Sequence, residues 1–286
     1  MGILSRREFA GVLAGVGAAA GSILRAASAG DMRLGLVTYQ WAEGMDLPAL
    51  LTACEKSGLL GVELRTMHAH GVEPALTKEQ RKEVRKRFAD SPVDLVGYGS
   101  NCEYHSPDPA ELKQNIEQTK QYVLLMQDCG GSGVKVKPNT FPKGVPREKT
   151  IAQIGKALNE VGAFGADHGQ KIRLEVHGRE TCELPVIKAI MDIATHPNVY
   201  VCWNSNGEDL AGAGLDANFN MVKARIGDTT HVRELNDGDY PYERLFKLFE
   251  GIHYKGWFLL EARTEQPDKV KAMAEQLAIF KKMIHG

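Results

Sequence analysis

Between Gly133 and Trp203 the sequence reads GVKV (133–136), KTIAQIGKALNEVGAFGADH (149–168), IRLEVH (172–177), ELPVIKAIMDIAT (183–195) and VYVCW (199–203). The first, third and fifth segments are short and rich in apolar or β-branched residues, which is the pattern of buried strands. The second and fourth are long enough for helices and are amphipathic. Strands that alternate with helices indicate an α/β fold with a parallel sheet.

The same alternation continues from Met32 to the C-terminus. The strand candidates are Arg33–Tyr39, Gly61–Arg65, Leu95–Tyr98, Gly133–Val136, Ile172–His177, Val199–Trp203, Thr230–Leu235 and Trp257–Glu261. The helix candidates are Asp46–Ser57, Thr77–Ala89, Pro109–Cys129, Lys149–His168, Glu183–Thr195, Gly214–Lys223, Tyr242–Gly251 and Asp268–His285. Eight strand–helix units in about 250 residues predict a (β/α)8 TIM barrel, as one domain over residues 30–286. A doubly wound open sheet is the alternative, but no glycine-rich phosphate loop follows Tyr39.

Residues 1–29 have the composition of an export signal. Ser5-Arg6-Arg7-Glu8-Phe9 precedes an apolar run rich in Gly and Ala, and Ala27-Ser28-Ala29 resembles a cleavage site. Paired arginines followed by Phe are typical of twin-arginine signals, whose passengers cross the membrane already folded. We therefore predict cleavage after Ala29 and a periplasmic or secreted mature chain, with no membrane span in it. An amphipathic N-terminal helix of the mature domain is the alternative.

Composition restricts the choice of partners. The 286 residues carry a formal net charge of -1, and 25% of them are charged. Binding to nucleic acid or to an anionic membrane would show as a basic face, so we expect neither partner. The cysteines form no CxxC pair, and we expect buried free thiols at all five positions: Cys54, Cys102, Cys129, Cys182 and Cys202.

Polar residues collect where the predicted strands end, which is the end of a barrel that carries active sites. Glu175, His177 and Glu261 each follow or end an apolar strand. A buried carboxylate needs a cationic partner, either an Arg or a metal ion. Carboxylates that converge from several strands would repel one another unless a divalent ion lay between them.

Four short motifs on consecutive strands resemble those of the xylose isomerase-like TIM barrels, a family of sugar isomerases, sugar epimerases and apurinic endonucleases. They are Leu174-Glu175-Val176-His177-Gly178, Cys202-Trp203-Asn204-Ser205-Asn206, His231-Val232-Arg233-Glu234 and Leu260-Glu261. The resemblance covers the chain from about Met32 to the C-terminus. It implies that one divalent ion is held by Glu175, Asn204, His231 and Glu261. It also implies that Glu175 and Glu261 take and return a proton next to a sugar carbonyl.

Asn204 departs from the family pattern, which normally has Asp at this position. An amide oxygen still binds a hard cation, but the site loses one negative charge, which should weaken binding and make the ion more electrophilic. The remaining ligands suit Mn²⁺, Mg²⁺, Co²⁺ or Zn²⁺. The alternative is a site without metal, in which Arg233 or a lysine neutralises the two glutamates.

The substrate expected from the resemblance and from export is a small sugar or a glycoside. His177, Arg233, Lys137 and Glu103 are the candidates for binding its hydroxyl groups. Two other functions remain open, a keto-glycoside lyase or hydrolase that uses the same site and a non-catalytic periplasmic carbohydrate-binding barrel. The sugar, the metal, the choice between isomerisation and elimination and the assembly into a homo-oligomer also stay open.

Overall fold

Eight parallel strands form a closed barrel in which each strand pairs with the next and the last strand pairs with the first. The computed structural model describes residues 32–236, 238 and 240–285. The predicted signal at residues 1–29 therefore lies outside the described residues. The strands are β1 (Arg33–Val37), β2 (Gly61–Arg65), β3 (Asp94–Glu103), β4 (Gly133–Lys137), β5 (Lys171–Glu175), β6 (Val199–Asn204), β7 (Ile226–Val232) and β8 (Trp257–Leu260). The predicted TIM barrel is confirmed, and the open sheet is excluded.

A helix follows every strand and covers the outside of the barrel. The helices are α1 (Leu47–Ser57), α2 (Lys78–Ala89), α3 (Pro109–Cys129), α4 (Arg147–Asp167), α5 (Leu184–Ile193), α6 (Leu215–Val222), α7 (Tyr242–Gly251) and α8 (Lys269–His285). Side-chain caps fix several of the starts, because Asp46, Thr77 and Asp108 each accept a hydrogen bond from a backbone amide of the first turn. None of the helices in the described part of the chain is both long and apolar enough to cross a bilayer.

The predicted bounds of β7 were wrong by several residues. The sequence pattern gave Thr230–Leu235, whereas the strand runs from Ile226 to Val232. Val201 of β6 pairs with Ile226, but Trp203 pairs with Thr230, so β7 carries two extra residues between these pairs. The extra residues belong to the strand only through its pairing with β6, which the local sequence pattern does not record.

Charged groups fill part of the barrel interior below the mouth. The guanidinium of Arg173 on β5 is completely buried and donates to both carboxylate oxygens of Asp228 on β7, at 3.0 and 3.2 Å. Gly97 and Gly133 make room for it, since a Cβ at these positions would lie 2.4 and 3.0 Å from guanidinium atoms of Arg173. The five cysteines are buried and free, as expected.

Candidate active site at the barrel mouth

The carboxyl ends of four strands bring the predicted metal ligands together. Glu175 is the last residue of β5, Asn204 is the last of β6, His231 lies in β7, and Glu261 follows β8 directly. Ligand atoms of Glu175, His231 and Glu261 all lie within 4.8 Å of one another, and the three side chains are buried. These residues lie at the ends of four consecutive strands that pair with one another, and the curvature of the barrel turns the side chains of Glu175 and Glu261 towards each other.

His231 lies between two carboxylates. Its Nδ1 is 3.2 Å from Oε1 of Glu175, and its Nε2 is 3.1 Å from Oε1 of Glu63 on β2. Burial disfavours the imidazolium, but the neighbouring Cys202, Glu63 and Glu175 outweigh it and raise the pKa of His231 well above its usual value. Burial also raises the pKa of Glu63, yet the charge of His231 and the hydrogen bond to it bring that pKa below its ordinary value.

Glu175 accepts from three side chains. The buried ammonium of Lys135 on β4 lies 2.6 Å from Oε2, and the Nδ2 group of Asn204 donates to Oε1 at 2.9 Å, beside His231. Burial alone would raise the pKa of Glu175, but Lys135 and His231 hold it well below the usual range. The carboxylate is therefore ionised and held by donors on both oxygens.

Asn204 leaves its other amide atom without a partner. Oδ1 is buried and has no hydrogen-bond partner among the described residues. A half-turn of the amide group exchanges the nitrogen and oxygen with little change in shape. Asn204 can thus donate to Glu175, as it does here, or offer an oxygen to an ion in the same place.

Glu261 is held by arginines from two strands. Arg233, just after β7, donates to its Oε2, and Arg65 of β2 donates to its Oε1 at 3.2 Å. The guanidinium of Arg65 also stacks over the ring of Tyr39, 4.7 Å from its centroid. Arg233 was predicted as a substrate-binding residue, and in this structure its head group contacts Glu261.

Lys137 and Glu103, two other predicted substrate-binding residues, form a separate cluster at the ends of β4 and β3. The Nζ atom of Lys137 is 3.2 Å from Oε1 of Glu103 and 3.2 Å from Oδ1 of Asn101. Asn139 donates to the other oxygen of Glu103 at 2.6 Å. His177, next to β5, is partly buried, and its Nδ1 atom has no partner among the described residues. Burial lowers the pKa of His177, so its ring is a neutral donor or acceptor at pH 7.

The donor set fits a divalent ion. Oε1 of Glu175 and Nδ1 of His231 are 3.2 Å apart, a separation that suits two ligands of one ion at about 2.1 Å from each. Glu63 on the other ring nitrogen would hold the imidazole in the binding tautomer, as a carboxylate commonly does behind a metal-ligating histidine. Ion binding would have to displace the proton from Nδ1. Repulsion between the glutamates does not itself require an ion, because Lys135, Arg65 and Arg233 already neutralise charge here.

Three charged residues of this site received no role from the sequence: Glu63, Arg65 and Lys135. All three lie in short strands where every second side chain faces the same way, so Glu63 and Arg65 share one face of β2 and Lys135 shares a face of β4 with Lys137. That alternation was visible in the sequence. Their partners were not, because they lie 40 residues away for Lys135 and more than 160 residues away for Glu63 and Arg65.

The fold is an α/β barrel, and its mouth carries convergent carboxylates, a histidine and an amide. Together these features define a class of barrel and not one particular protein. A family model described as xylose isomerase-like TIM barrel matches residues 51–283. The chain therefore belongs to this family. A search of curated proteins found no significant match.

Solved structures with the same fold include several sugar epimerases. L-ribulose 3-epimerase superposes with a TM-score of 0.77 at 16% identity, over 89% of this chain and 95% of that one. The 3-keto-D-glucoside 4-epimerase YcjR from E. coli gives 0.75 at 12% identity, over 88% and 100%. The IolI protein, solved with a bound zinc atom, gives 0.71 at 16% identity, over 88% and 96%. At these identities the likeness shows a shared fold.

Proposed function

We propose that this protein is an isomerase or epimerase that moves a proton on a carbon next to a carbonyl group of a small sugar or glycoside. The convergence of Glu175, His231 and Glu261 at the carboxyl ends of the strands carries the proposal. Family membership and the epimerases of the same fold support it. We also propose that the protein binds its substrate after export, in the periplasm or outside the cell.

Glu175 and Glu261 are the proposed proton carriers. One carboxylate takes the proton from the carbon next to the carbonyl, and the C–H electron pair moves into an enediolate. A proton returned by the other glutamate, from the opposite face, inverts the configuration at that carbon. His177 is proposed to bind a substrate hydroxyl, as are Lys137 and Glu103 from their own cluster.

A divalent ion, one of Mn²⁺, Mg²⁺, Co²⁺ or Zn²⁺, is proposed to be held by Glu175, His231 and Glu261, with the amide oxygen of Asn204 as a fourth ligand. When bound it would polarise the carbonyl and stabilise charge on its oxygen. The orphaned Oδ1 of Asn204 and the spacing between Glu175 and His231 support this assignment.

A second candidate, elimination from a keto-glycoside, is favoured by the two arginines on Glu261. A carboxylate that neutralises two guanidinium groups has to leave one of them before it can deliver a proton to the opposite face. The enolate can instead break the C–O bond at the adjacent carbon. The aglycone then leaves and takes up a proton, and an unsaturated ketone remains.

The test incubates purified protein in D₂O with a panel of ketoses and keto-glycosides. Epimerisation or isomerisation predicts deuterium at the carbon next to the carbonyl, and elimination predicts free aglycone. Glu175→Gln should lower either rate by about 10²–10⁴-fold, the usual contribution of an acid–base group. Binding of sugars with neither exchange nor aglycone release would contradict the enzyme proposal and leave a carbohydrate-binding barrel.

A panel of variants separates metal ligands from substrate-binding residues. His231→Ala should remove metal and activity together, because it deletes a principal contact with the ion. His177→Ala should keep the metal content of the wild type and lower kcat/KM by about 10-fold or more, the loss expected for a hydrogen bond to substrate. Elemental analysis beside the exchange assay checks both. A His177→Ala protein without metal would contradict the assignment.

A further inference from the structure

Lys135 is a buried cation that neither the family motifs nor the proposed ligand set explains. Its side chain is 1% exposed, and its Nζ atom is 2.6 Å from Oε2 of Glu175. At this distance the two side chains form an ion pair inside the barrel. A lysine is rarely buried so fully without a compensating carboxylate, and here that carboxylate is the central residue of the site.

The neighbouring strand is shaped to admit this side chain. Gly99 of β3 lies beside it, and a Cβ at that position would be 2.9 Å from Oε1 of Glu63 and 3.4 Å from Cε of Lys135. The missing side chain at residue 99 leaves the space in which Glu63 and Lys135 both approach Glu175 and His231. The side chain of Lys135 is thus an interior part of the site, with space provided for it by the neighbouring strand.

The described side chains compensate the negative charge of the site without a metal ion. Three carboxylates, Glu63, Glu175 and Glu261, face the fixed cations Lys135, Arg65 and Arg233. Arg263 lies a further 3.9 Å from Glu261, and the imidazole of His231 lies between Glu63 and Glu175. Asn204, the fourth proposed ligand, brings no charge. A divalent ion at this place would therefore meet a fixed ammonium on the other oxygen of its own ligand and find little uncompensated negative charge.

We propose that Lys135 and a divalent ion compete for Glu175, so that Lys135 is the resident counter-ion of the site and makes metal binding weak. The inference rests on the proposed function only in taking Glu175 as the ligand and base. Lys135 is a positioning residue in this scheme. It fixes Oε2, leaves Oε1 directed at His231, and supplies positive charge whenever the ion is absent.

The test titrates Mn²⁺ into metal-free protein by calorimetry and by the paramagnetic resonance signal of free Mn²⁺, without any sugar. Lys135→Met keeps the length of the side chain and removes its charge, and it should tighten Mn²⁺ binding on the order of 100-fold, because a like charge a few ångström from the ion is gone. Lys135→Arg should bind as weakly as the wild type. Lys137→Met, on the same strand but paired with Glu103, should change the affinity by less than about 3-fold, as expected for a more distant and more exposed charge.

Circular dichroism establishes that each variant is folded, and Lys135→Gln replaces Lys135→Met if the latter does not fold. Equal Mn²⁺ affinity in the wild type and the charge-free variant would overturn the inference. So would an equal gain in Lys137→Met. Because no sugar is present, these outcomes are separate from failure of the proposed reaction, which the deuterium-exchange assay reports.

Discussion

Both oxygens of Glu175 have hydrogen-bond partners, whereas Oδ1 of the neighbouring Asn204 has none among the described residues. Oε1 of Glu175 faces His231 and Asn204, while Oε2 faces Lys135. At the scale of single residues, replacing Asp by Asn converts a repulsive neighbour of Glu175 into a hydrogen-bond donor. We therefore expect the site to be stable without an ion and to bind one more weakly than a site with Asp at this position would.

Asn204→Asp should reverse this balance. Without metal, the new carboxylate would stand about 2.9 Å from Glu175 in place of a donor, so we expect a loss of about 1–3 kcal/mol in the free energy of unfolding. Saturating Mn²⁺ should restore stability, since an ion that binds only the folded state stabilises it. Thermal unfolding in chelator and in Mn²⁺ measures both effects. Asn206→Asp is the control, because the side-chain amide of Asn206 donates to the backbone carbonyls of Val176 and Asn204, and the loss of stability in this variant should not depend on Mn²⁺. A variant that responds to Mn²⁺ no more than the wild type would refute the assignment of residue 204.

Asp209 is buried and is not one of the proposed metal ligands, and its burial predicts that the stability of the protein depends on pH. Its buried Oδ2 accepts from the backbone of Asn206 and from the hydroxyl of Tyr240, and Oδ1 has no partner among the described residues. Burial raises the pKa of Asp209 from 3.8 to about 7. The folded state therefore keeps a proton that the unfolded chain releases near pH 4. The contribution of Asp209 to stability should therefore be largest below that pH and should fall, by up to about 4 kcal/mol, as the pH rises to 7.

Asp209→Asn removes this ionisation and retains an oxygen acceptor. The variant should match the wild type at pH 4 and exceed its stability by about 2–4 kcal/mol at pH 8. Urea unfolding at the two pH values is the measurement, and Asp167→Asn on the exposed surface of α4 is the control. A gain that is the same at both pH values would show that ionisation of Asp209 is not responsible.

At the scale of helices and strands, local sequence signals predicted the fold and most of the element positions. The apolar runs placed six of the strands within two residues of their observed bounds, and the capping residues Thr77 and Asp108 marked the starts of α2 and α3. The strand β3 continues to Glu103, five residues beyond the predicted end at Tyr98. The strand β7 was misplaced because its bulge depends on pairing with β6, which local patterning does not record. The same limit applied to the site. Glu175, His231 and Glu261 were found from strand ends, whereas the contacts of Lys135 and Arg65 depend on strands distant in the chain.

The absence of a side chain at Gly155 allows α4 and α5 to pack closely against each other. A Cβ at residue 155 would lie 2.6 Å from Cβ of Ile193 and 3.1 Å from the carbonyl oxygen of Ile190. Gly155→Ala should therefore destabilise the protein by about 1–3 kcal/mol, although alanine is the better helix former. Gly251→Ala, in the last turn of α7 with no atom near the added methyl, should be neutral or stabilise by up to about 1 kcal/mol. Thermal unfolding of the two variants compares them, and equal effects would mean that α4 and α5 can move apart freely.

At the scale of the whole molecule, the site exists only when the barrel closes. Residues 33–36 of β1 pair with residues 257–260 of β8. Trp41 donates to the carbonyl oxygen of Thr264 at 2.7 Å, and Lys269 donates to that of Gln40 at 2.8 Å. Glu261 follows β8 directly, so its encounter with Arg65 and Glu175 requires both ends of the described chain. The barrel cannot be completed before its last strand has been made.

Because the barrel closes only with its last strand, a test of export can compare chains that fold with chains that do not. The proposed twin-arginine route carries folded passengers, and cleavage after Ala29 would leave β1, which begins at Arg33, intact. Replacing both Arg6 and Arg7 by Lys should leave the uncleaved chain in the cytoplasm, whereas Arg85→Lys on the exposed surface of α2 should be exported normally. A chain that stops at Tyr254 lacks β8, cannot close the barrel, and should also be retained. Cell fractionation and N-terminal sequencing are the measurements, with Gly30 expected as the first residue of the exported form. Export of the double-lysine variant, or an exported chain that still begins with Met1, would show that residues 1–29 are not this signal.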